Sequence, residues 1–254
     1  MPLRLDATTL ASAGAPLPGY DRRAIAPGIV HLGLGAFARA HLAVYIDDLL
    51  AAGHTELGIV GVSLRSPDVP DALRPQHGLY TLVTVDGERR SYRVIGSVLD
   101  VLHAPTQATK LRAALATTPI VTITVTETGY PIDRTTGGLD RAHPDVQHDL
   151  AHPDEPRGLV GHLVAMARTR RAIESGPVTV ASLDNVSDNG ATLRRLTLDL
   201  ATATGEPGLA DWIGANVAFP SSMVDRMTPA TDSDLRTTTA AAIGLTDAWP
   251  VRAE

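Results

Sequence analysis

The sequence contains no cysteine, and this absence excludes two kinds of stabilising chemistry. A chain without thiols forms neither a disulfide framework nor a thiolate zinc site. The composition agrees with a reducing compartment, and we expect a cytoplasmic protein. Residues 1–16 lack the basic start and long apolar block of a secretory leader, and no apolar run is long enough to cross a bilayer. We therefore expect no membrane partner.

Lysine and aromatic side chains are also scarce. The formal net charge is -6 and the single lysine is Lys110, so the sequence shows no basic footprint for nucleic acid, and we expect no such partner. Aromatic residues make up 4% of the chain, which together with abundant alanine and arginine indicates a coding bias more than a function. The 254 residues, 44% of them hydrophobic, can bury a substantial core as one large domain or as a domain with an appendage.

The most informative pattern lies in residues 29–50, IVHLGLGAFARAHLAVYIDDLL. An apolar run leads into Gly33, Gly35 and Ala38, which have the GxGxxA spacing, and a long helical pattern follows. This order predicts a strand, a phosphate turn and a helix. Gly33 permits the tight turn, Gly35 lets a pyrophosphate approach the backbone, and Ala38 lets the helix lie close to the strand. Glycines also close ordinary strand-to-helix turns, so a purely structural turn is the alternative.

Further strand-like runs alternate with helical patterns along the chain, which predicts an α/β fold of the Rossmann-like, doubly wound type with a mainly parallel sheet. Residues 79–85 and 91–98 flank Asp86-Gly87 without a helix between them, so we expect an antiparallel hairpin insertion. We also expect a short helix with Thr106 as its N-cap.

Polar residues follow three of the predicted strands, where ligands of open α/β sheets gather. Asp68 follows residues 57–64, at the place of an acid that binds adenosine ribose hydroxyls; the alternative is that Asp68 caps a short helix. Glu127 and Asn185 follow two later strands, and the Asn185 amide can donate to a substrate oxygen or a ribose. Their alternatives are a solvated loop carboxylate and an Asx turn. Residues 216–231 suggest an ordered, ligand-facing segment or a plain connection.

Two polar clusters are interpreted as surface features. His148 and His152 have HxxxH spacing, but prolines on both sides leave a segment too short for a ligand helix, so we expect surface histidines and no metal site. A helix over residues 159–175 has a basic face with Arg168, Arg170 and Arg171. We expect these side chains to be solvated.

The pieces together resemble the polyol-specific long-chain dehydrogenases, a family that includes mannitol 2-dehydrogenase, D-arabinitol dehydrogenase and fructuronate reductase. The matching segments are IVHLGLGAFARAH, GIVGVSLRSPD, GLYTL, VIGSVLD, TITVTETGY, SLDNVSDNG and NVAFPSSMVDRMTPAT, in family order. The resemblance implies a Rossmann-type NAD domain over residues 29–231, preceded by an irregular lead-in over 1–28. Residues 232–254 are then the start of a connection to a mostly helical C-terminal domain.

The resemblance also implies roles for individual residues. Expected cofactor-binding residues are Gly33, Gly35, Phe37, Arg39, Asp68 and Asp225. Expected supporting catalytic residues are Asn185, which helps to hold the substrate oxygen, and Glu127, an acid near the proton path. No metal is implied. The sequence departs from the family at Ala38, where histidine is usual, and at Ala36, where many members have glycine; alanine still fits the third glycine position of the motif.

The family reaction is reversible hydride transfer between NAD and a secondary alcohol, of the mannitol-to-fructose type. Fructuronate reductase, which acts on a hexuronate, is an alternative, and a non-catalytic NAD-binding module is another. The family's catalytic lysine stands in a KxxxxNxxH pattern that these 254 residues do not contain, and Lys110 has no family role. We therefore expect the chain alone to be inactive, with a separate C-terminal chain as a conceivable partner.

Overall fold

The structure is a computed structural model that describes residues 3–125 and 129–253. The strands within these ranges are β1 (Pro27–Leu32), β2 (Gly58–Ser63), β3 (Tyr80–Asp86), β4 (Arg89–Ile95), β5 (Val98–His103), β6 (Ile120–Ile123), β7 (Val178–Ser182), β8 (Val217–Ala218) and β9 (Val251–Ala253). The helices are α1 (Ala36–Ala40), α2 (Leu42–Ala51), α3 (Asp68–Leu73), α4 (Ala108–Thr117), α5 (Pro144–Ala151), α6 (Leu159–Ala172), α7 (Asn189–Ala203), α8 (Leu209–Asn216) and α9 (Ser233–Ile243).

The strands form a six-stranded parallel sheet in the order β5-β2-β1-β6-β7-β8 and a three-stranded sheet in the order β4-β3-β9. Helices connect the strands of the large sheet, because parallel neighbours require crossover connections. The α/β fold with a Rossmann-like parallel sheet is therefore confirmed. Strands β1, β2 and β6 are nearly continuous runs of apolar residues, as is usual for strands buried on both faces.

The predicted hairpin is also present, and it belongs to the smaller sheet. Strands β3 and β4 pair antiparallel up to Asp86 and Arg89. The chain leaves the hairpin at Gly96, whose N–H donates to the Asp47 carboxylate, and at Ser97, whose hydroxyl donates to Ala43 O. It then forms β5, which pairs in parallel with β2. The sequence pattern does not separate β5 from the hairpin, because the predicted second hairpin strand extends to residue 98.

The chain divides into two compact units. Unit 1 contains residues up to Ile29, Gly33–His103 and the residues from Arg226 onward; unit 2 contains Val30–Leu32 and Ala104–Asp225. Both terminal segments belong to unit 1. One core cluster there joins both ends of the chain to the hairpin, through Leu5, Leu79, Val94, Ile243 and Leu245. Strand β9 pairs in parallel with β3.

Two local predictions are wrong. Helix α4 has Gln107 as its N-cap, and Thr106 lies in the preceding turn. Arg170 is 1% exposed instead of solvated, and its guanidinium donates to main-chain carbonyls that include those of Leu115 and Thr118. Arginine suits this position because its fork of donors can satisfy several carbonyls at once.

Two expected absences concern metals and membranes. Among the described residues, no group of three or more histidine, cysteine or acidic side chains is arranged to hold a metal ion. His143 instead accepts a hydrogen bond from Asp145 N at the start of α5, and the rings of His148 and His152 stack at 4.6 Å. No helix in the described ranges is long and apolar enough to span a membrane.

Candidate functional site

The turn after β1 takes a backbone conformation that only glycine adopts easily. Gly33 has a φ of 97°, in the left-handed region that favours glycine. Its N–H and that of Leu34 both donate to Val62 O, at 2.8 and 3.0 Å, so the turn is tied to β2 within unit 1. On β2, Gly61 leaves room for Leu34, because an added Cβ would lie 2.4 Å from the leucine side chain. Gly33 and Gly61 are therefore explained by the fold.

Gly35 differs from Gly33, because the fold does not require glycine there. Its φ of -84° and ψ of -170° are available to any residue. Among the described residues, the one heavy atom within 4 Å of an added Cβ is Gly33 O, at 3.8 Å. Space therefore remains open beside the backbone at the start of α1, where a dinucleotide motif lets its pyrophosphate approach. The residues of this turn fit such a group.

The predicted long helix after the turn is broken at His41, which has φ -123° and ψ -76° and separates α1 from α2. The His41 ring lies 4.8 Å from the Phe37 ring, and its Nε2 is 3.1 Å from the Thr228 hydroxyl. Burial and the nearby charge of Arg226 lower the pKa of His41. His41 thus links α1, which follows the turn after β1, to residues 226–228 of the same unit.

The Arg39 side chain does not reach the protein surface. It is 1% exposed, its Nε donates to Gly35 O at 3.2 Å, and its Nη1 donates to Trp249 O at 2.5 Å. The guanidinium lies over the Tyr80 ring, 5.5 Å from its centre. Burial lowers the pKa of Arg39 to about 10, so the side chain keeps its charge at neutral pH.

Asp68 is the first residue of α3 and is exposed. The N-cap of this helix is Pro67, so the alternative that Asp68 is the cap is wrong. The loop before Asp68 is fixed within unit 1: Ser66 Oγ accepts from Asp68 N at 3.1 Å, and His103 Nε2 lies 3.0 Å from Arg65 O. The carboxylate therefore lies at the start of α3, directly after a loop that these hydrogen bonds hold in place.

In unit 2, a buried hydrogen-bond network forms after β7. One carboxylate oxygen of Asp184 accepts from Val125 N at 2.8 Å, and the other accepts from the Tyr130 hydroxyl at 2.6 Å. The same hydroxyl lies 2.8 Å from Ser182 Oγ. Burial raises the pKa of Asp184, and burial together with the Asp184 charge raises the pKa of Tyr130. One carboxylate thus fixes the segments that follow both β6 and β7.

Asn189 extends this network to residues 219–222. Its amide donates to Asp184 O at 2.9 Å and to Ser222 Oγ at 3.0 Å, and its carbonyl accepts from Ser222 N at 3.0 Å. The next residue, Gly190, lies so close to this segment that an added Cβ would be 2.6 Å from Phe219 O. Asn185, which directly follows Asp184, is exposed.

The other two candidates in this region are less well defined by structure. Asp225 is exposed and lies in the stretch 219–232, where the structure assigns neither helix nor strand. Glu127 lies outside the described residues.

Sequence reasoning identified the candidates and missed neighbouring residues whose side chains hold the adjoining segments in place. The missed residues are His41, His103, Tyr130, Asp184 and Asn189. Asp184 and Asn189 stand in the same SLDNVSDNG segment as Asn185, so their spacing was a usable signal. His41 and His103 become visible as anchors only through partners far away in the sequence.

Comparison with known proteins gives consistent matches. A family model described as mannitol dehydrogenase Rossmann domain matches residues 27–254. Mannitol 2-dehydrogenase of Pyrenophora tritici-repentis is 42% identical over 99% of this chain and 46% of that protein. The ternary complex of Pseudomonas fluorescens mannitol 2-dehydrogenase with NAD and D-mannitol has a TM-score of 0.93 and 40% identity, covering 99% of this chain and 53% of the other.

A substrate-free D-sorbitol dehydrogenase structure has a TM-score of 0.91 and 35% identity, again with 99% of this chain and 53% of the other covered. The chain thus spans about half the length of the relatives that it matches.

Proposed function

The chain belongs to the mannitol dehydrogenase family and matches its Rossmann domain, and from this we propose that it binds NAD at the turn after β1 as the cofactor half of a polyol dehydrogenase. The observation that carries the proposal is Gly35, a glycine that neither backbone geometry nor packing requires. Open space at that position serves a ligand that must approach the main chain. The turn amides would hold the pyrophosphate, with Phe37 beside them.

Asp68 would determine which dinucleotide binds. Its exposed carboxylate would accept hydrogen bonds from the ribose hydroxyls of NAD and repel the 2'-phosphate of NADP. The positive charge of Arg65 in the same loop would attract the 2'-phosphate of NADP. We therefore expect only a modest preference for NAD.

Calorimetric titration of both cofactors tests this role. We expect Asp68→Ala to bring the two dissociation constants together, whereas Asp71→Ala, which removes another exposed carboxylate of α3, should preserve the preference. An Asp68→Ala chain with the full preference for NAD would remove Asp68 from the proposal.

The reaction class follows from the family. Bound NAD would accept hydride from a secondary alcohol of a sugar alcohol, or its reduced form would return hydride to the ketone. In this chain, the exposed Asn185 would donate from its amide to the substrate oxygen. Glu127 would take part in proton movement, and Asp225 would line the cofactor site. The mannitol and sorbitol dehydrogenases among the relatives support a sugar alcohol as substrate over a hexuronate.

We further propose that these 254 residues bind NAD without catalysing turnover. A positioned base contributes roughly a hundredfold to ten-thousandfold to such a rate. The single lysine, Lys110, is exposed on α4 and does not stand in the family's KxxxxNxxH pattern. NAD binding without turnover of mannitol, D-arabinitol or mannonate is the expected result. Sustained NADH formation by the purified chain would show that another base operates here.

A further inference from the structure

The buried arginine beside the phosphate turn is tied to a segment 210 positions later in the sequence. Arg39 Nε donates to Gly35 O, in the turn, and Nη1 donates to Trp249 O, just before β9. Both contacts lie within unit 1, and α1 packs against β9. We propose, on the basis of the NAD-binding function, that Arg39 is a positioning residue that transmits cofactor occupancy of the phosphate turn to Trp249 and the three-stranded sheet.

The first step of the argument concerns one peptide unit. Gly35 C=O and Ala36 N–H belong to the same planar amide. Helix geometry leaves the first N–H groups of α1 without a partner inside the helix, and Ala36 N–H is the first of these groups. An anion that accepts from this N–H polarises the amide and strengthens hydrogen bonds to its carbonyl. That carbonyl is the one to which Arg39 Nε donates.

The second step concerns the fixed surroundings of Arg39. The Tyr80 hydroxyl donates to Arg39 O at 2.6 Å, so the main chain of α1 is anchored beside the guanidinium. The side chain is almost fully buried and cannot exchange its carbonyl partners for water without cost. A change in the bond to Gly35 O is therefore passed to the bond with Trp249 O.

The third step concerns Trp249 itself. The main-chain N–H of Trp249 donates to the Asp247 carboxylate at 2.9 Å. That carboxylate also accepts from the main-chain N–H of Thr81, on β3, at 2.6 Å. The Trp249 ring lies 4.8 Å from the Arg236 guanidinium. A small displacement of the Trp249 main chain changes the contact between its ring and the Arg236 guanidinium. The fluorescence of Trp249 therefore reports on the hydrogen bond between Arg39 and Trp249 O.

The chain contains two tryptophans, Trp212 and Trp249, so a Trp212→Phe background makes Trp249 the only indole emitter. NAD would be titrated into this variant while tryptophan emission is recorded and binding is measured independently by calorimetry. We expect a saturable change in emission with the same dissociation constant as the calorimetric curve. The oxidised cofactor is used because NADH is itself fluorescent.

Arg39→Lys in the same background keeps the positive charge and removes the guanidinium N–H groups, so it tests whether the guanidinium donors or the charge is required. Lysine keeps the cation but presents a single ammonium, which cannot reproduce the planar arrangement that reaches both Gly35 O and Trp249 O. We expect weaker NAD binding, by about tenfold, and loss of most of the Trp249 response at saturating NAD. Arg170→Lys is the matched control, because Arg170 is also 1% exposed and also donates to carbonyls, but in unit 2. It should lower stability while leaving NAD affinity and the Trp249 response unchanged.

The outcomes separate this inference from the proposed function. If NAD fails to bind the Trp212→Phe chain and the parent chain, both ideas fall. If NAD binds without altering Trp249 emission, or if Arg39→Lys retains the full response at saturation, NAD binding stands and the transmission through Arg39 is refuted. Equal loss of NAD affinity in Arg39→Lys and Arg170→Lys would also refute it, because the effect would then follow from general destabilisation.

Discussion

The ends of β1 and β7 both present candidate ligand groups, but they are fixed by different physical means. After β1, the turn is held by main-chain bonds to Val62 O and by the left-handed conformation of Gly33. After β7, the chain is held by side-chain hydrogen bonds centred on the half-buried Asp184. A turn fixed by the main chain tolerates changes of side chain but not of backbone conformation. A turn fixed by a half-buried carboxylate depends on that side chain and on its protonation.

The largest expected effect is at the end of β7. Asp184→Ala would remove the acceptor of Val125 N and one of the two side-chain partners of the Tyr130 hydroxyl, and we expect it to lower the free energy of unfolding by about 3 kcal/mol. Asp184→Asn keeps an acceptor oxygen and should cost markedly less. Urea denaturation measures both. Equal losses in the two variants would show that the carboxylate does not act through these hydrogen bonds.

The corresponding change at the end of β1 is Gly33→Ala. A Cβ at a φ of 97° is strained, so we expect a loss of about 2 kcal/mol. Gly35→Ala has open space and an ordinary φ and should be nearly neutral. Thermal unfolding of both variants checks the contrast. A Gly35→Ala chain as unstable as Gly33→Ala would contradict the distinction between the two glycines.

Gly35→Val then separates binding from stability. The branched side chain would occupy the open space and should weaken NAD binding by at least about tenfold, which is about 1.4 kcal/mol. The unfolding midpoint should remain close to that of the parent chain. Calorimetric titration with NAD measures the first quantity. Unchanged affinity would mean that the glycine motif is only a structural turn.

Acidification should act in opposite directions on the two regions. The lowered pKa of His41 means that its contribution to stability is complete above the ordinary histidine value and is lost as pH falls through the folded pKa. The raised pKa of Asp184 means that its contribution is complete below the ordinary aspartate value and is lost as pH rises through the folded pKa.

Free energies of unfolding measured against pH test these signs. Relative to His41→Gln, the parent chain should lose stability on acidification from neutral pH. Relative to Asp184→Asn, it should gain stability as pH falls through the raised pKa towards the ordinary aspartate value. Parallel pH profiles for the parent chain and either variant would contradict the corresponding sign.

The sequence predicted the region after β1 better than the region after β7, and the reason is physical. GxGxxA is a local pattern whose backbone consequences are fixed by residues a few positions apart, so strand, turn and helix could all be predicted. The break at His41 could not, because its partner Thr228 is 187 positions away. Asn185 could be proposed as a candidate from its place after a strand, but the network of Tyr130, Asp184 and Asn189 depends on side chains that meet only in the fold.

The errors have a related cause. Arg170 belongs to a run that is basic in the sequence, but the end of α4 and the connection between α6 and β7 present carbonyls that need donors, and its guanidinium reaches them. Local composition indicates the charge of a segment, but it does not indicate which carbonyls from distant parts of the sequence the charged side chain will contact. The same limit applies to β9, whose partner β3 lies far away in the sequence.

The central claim, that NAD binds at the turn after β1, is tested most directly by amide chemical shifts. NAD would be titrated into isotopically labelled chain while the main-chain N–H signals of Gly33, Gly35, Ala36 and Phe37 are followed. The account predicts saturable shifts of these signals and of Asp68, all with one dissociation constant. Saturating NAD that leaves the turn signals unmoved while others shift, or that shifts none, would contradict the account.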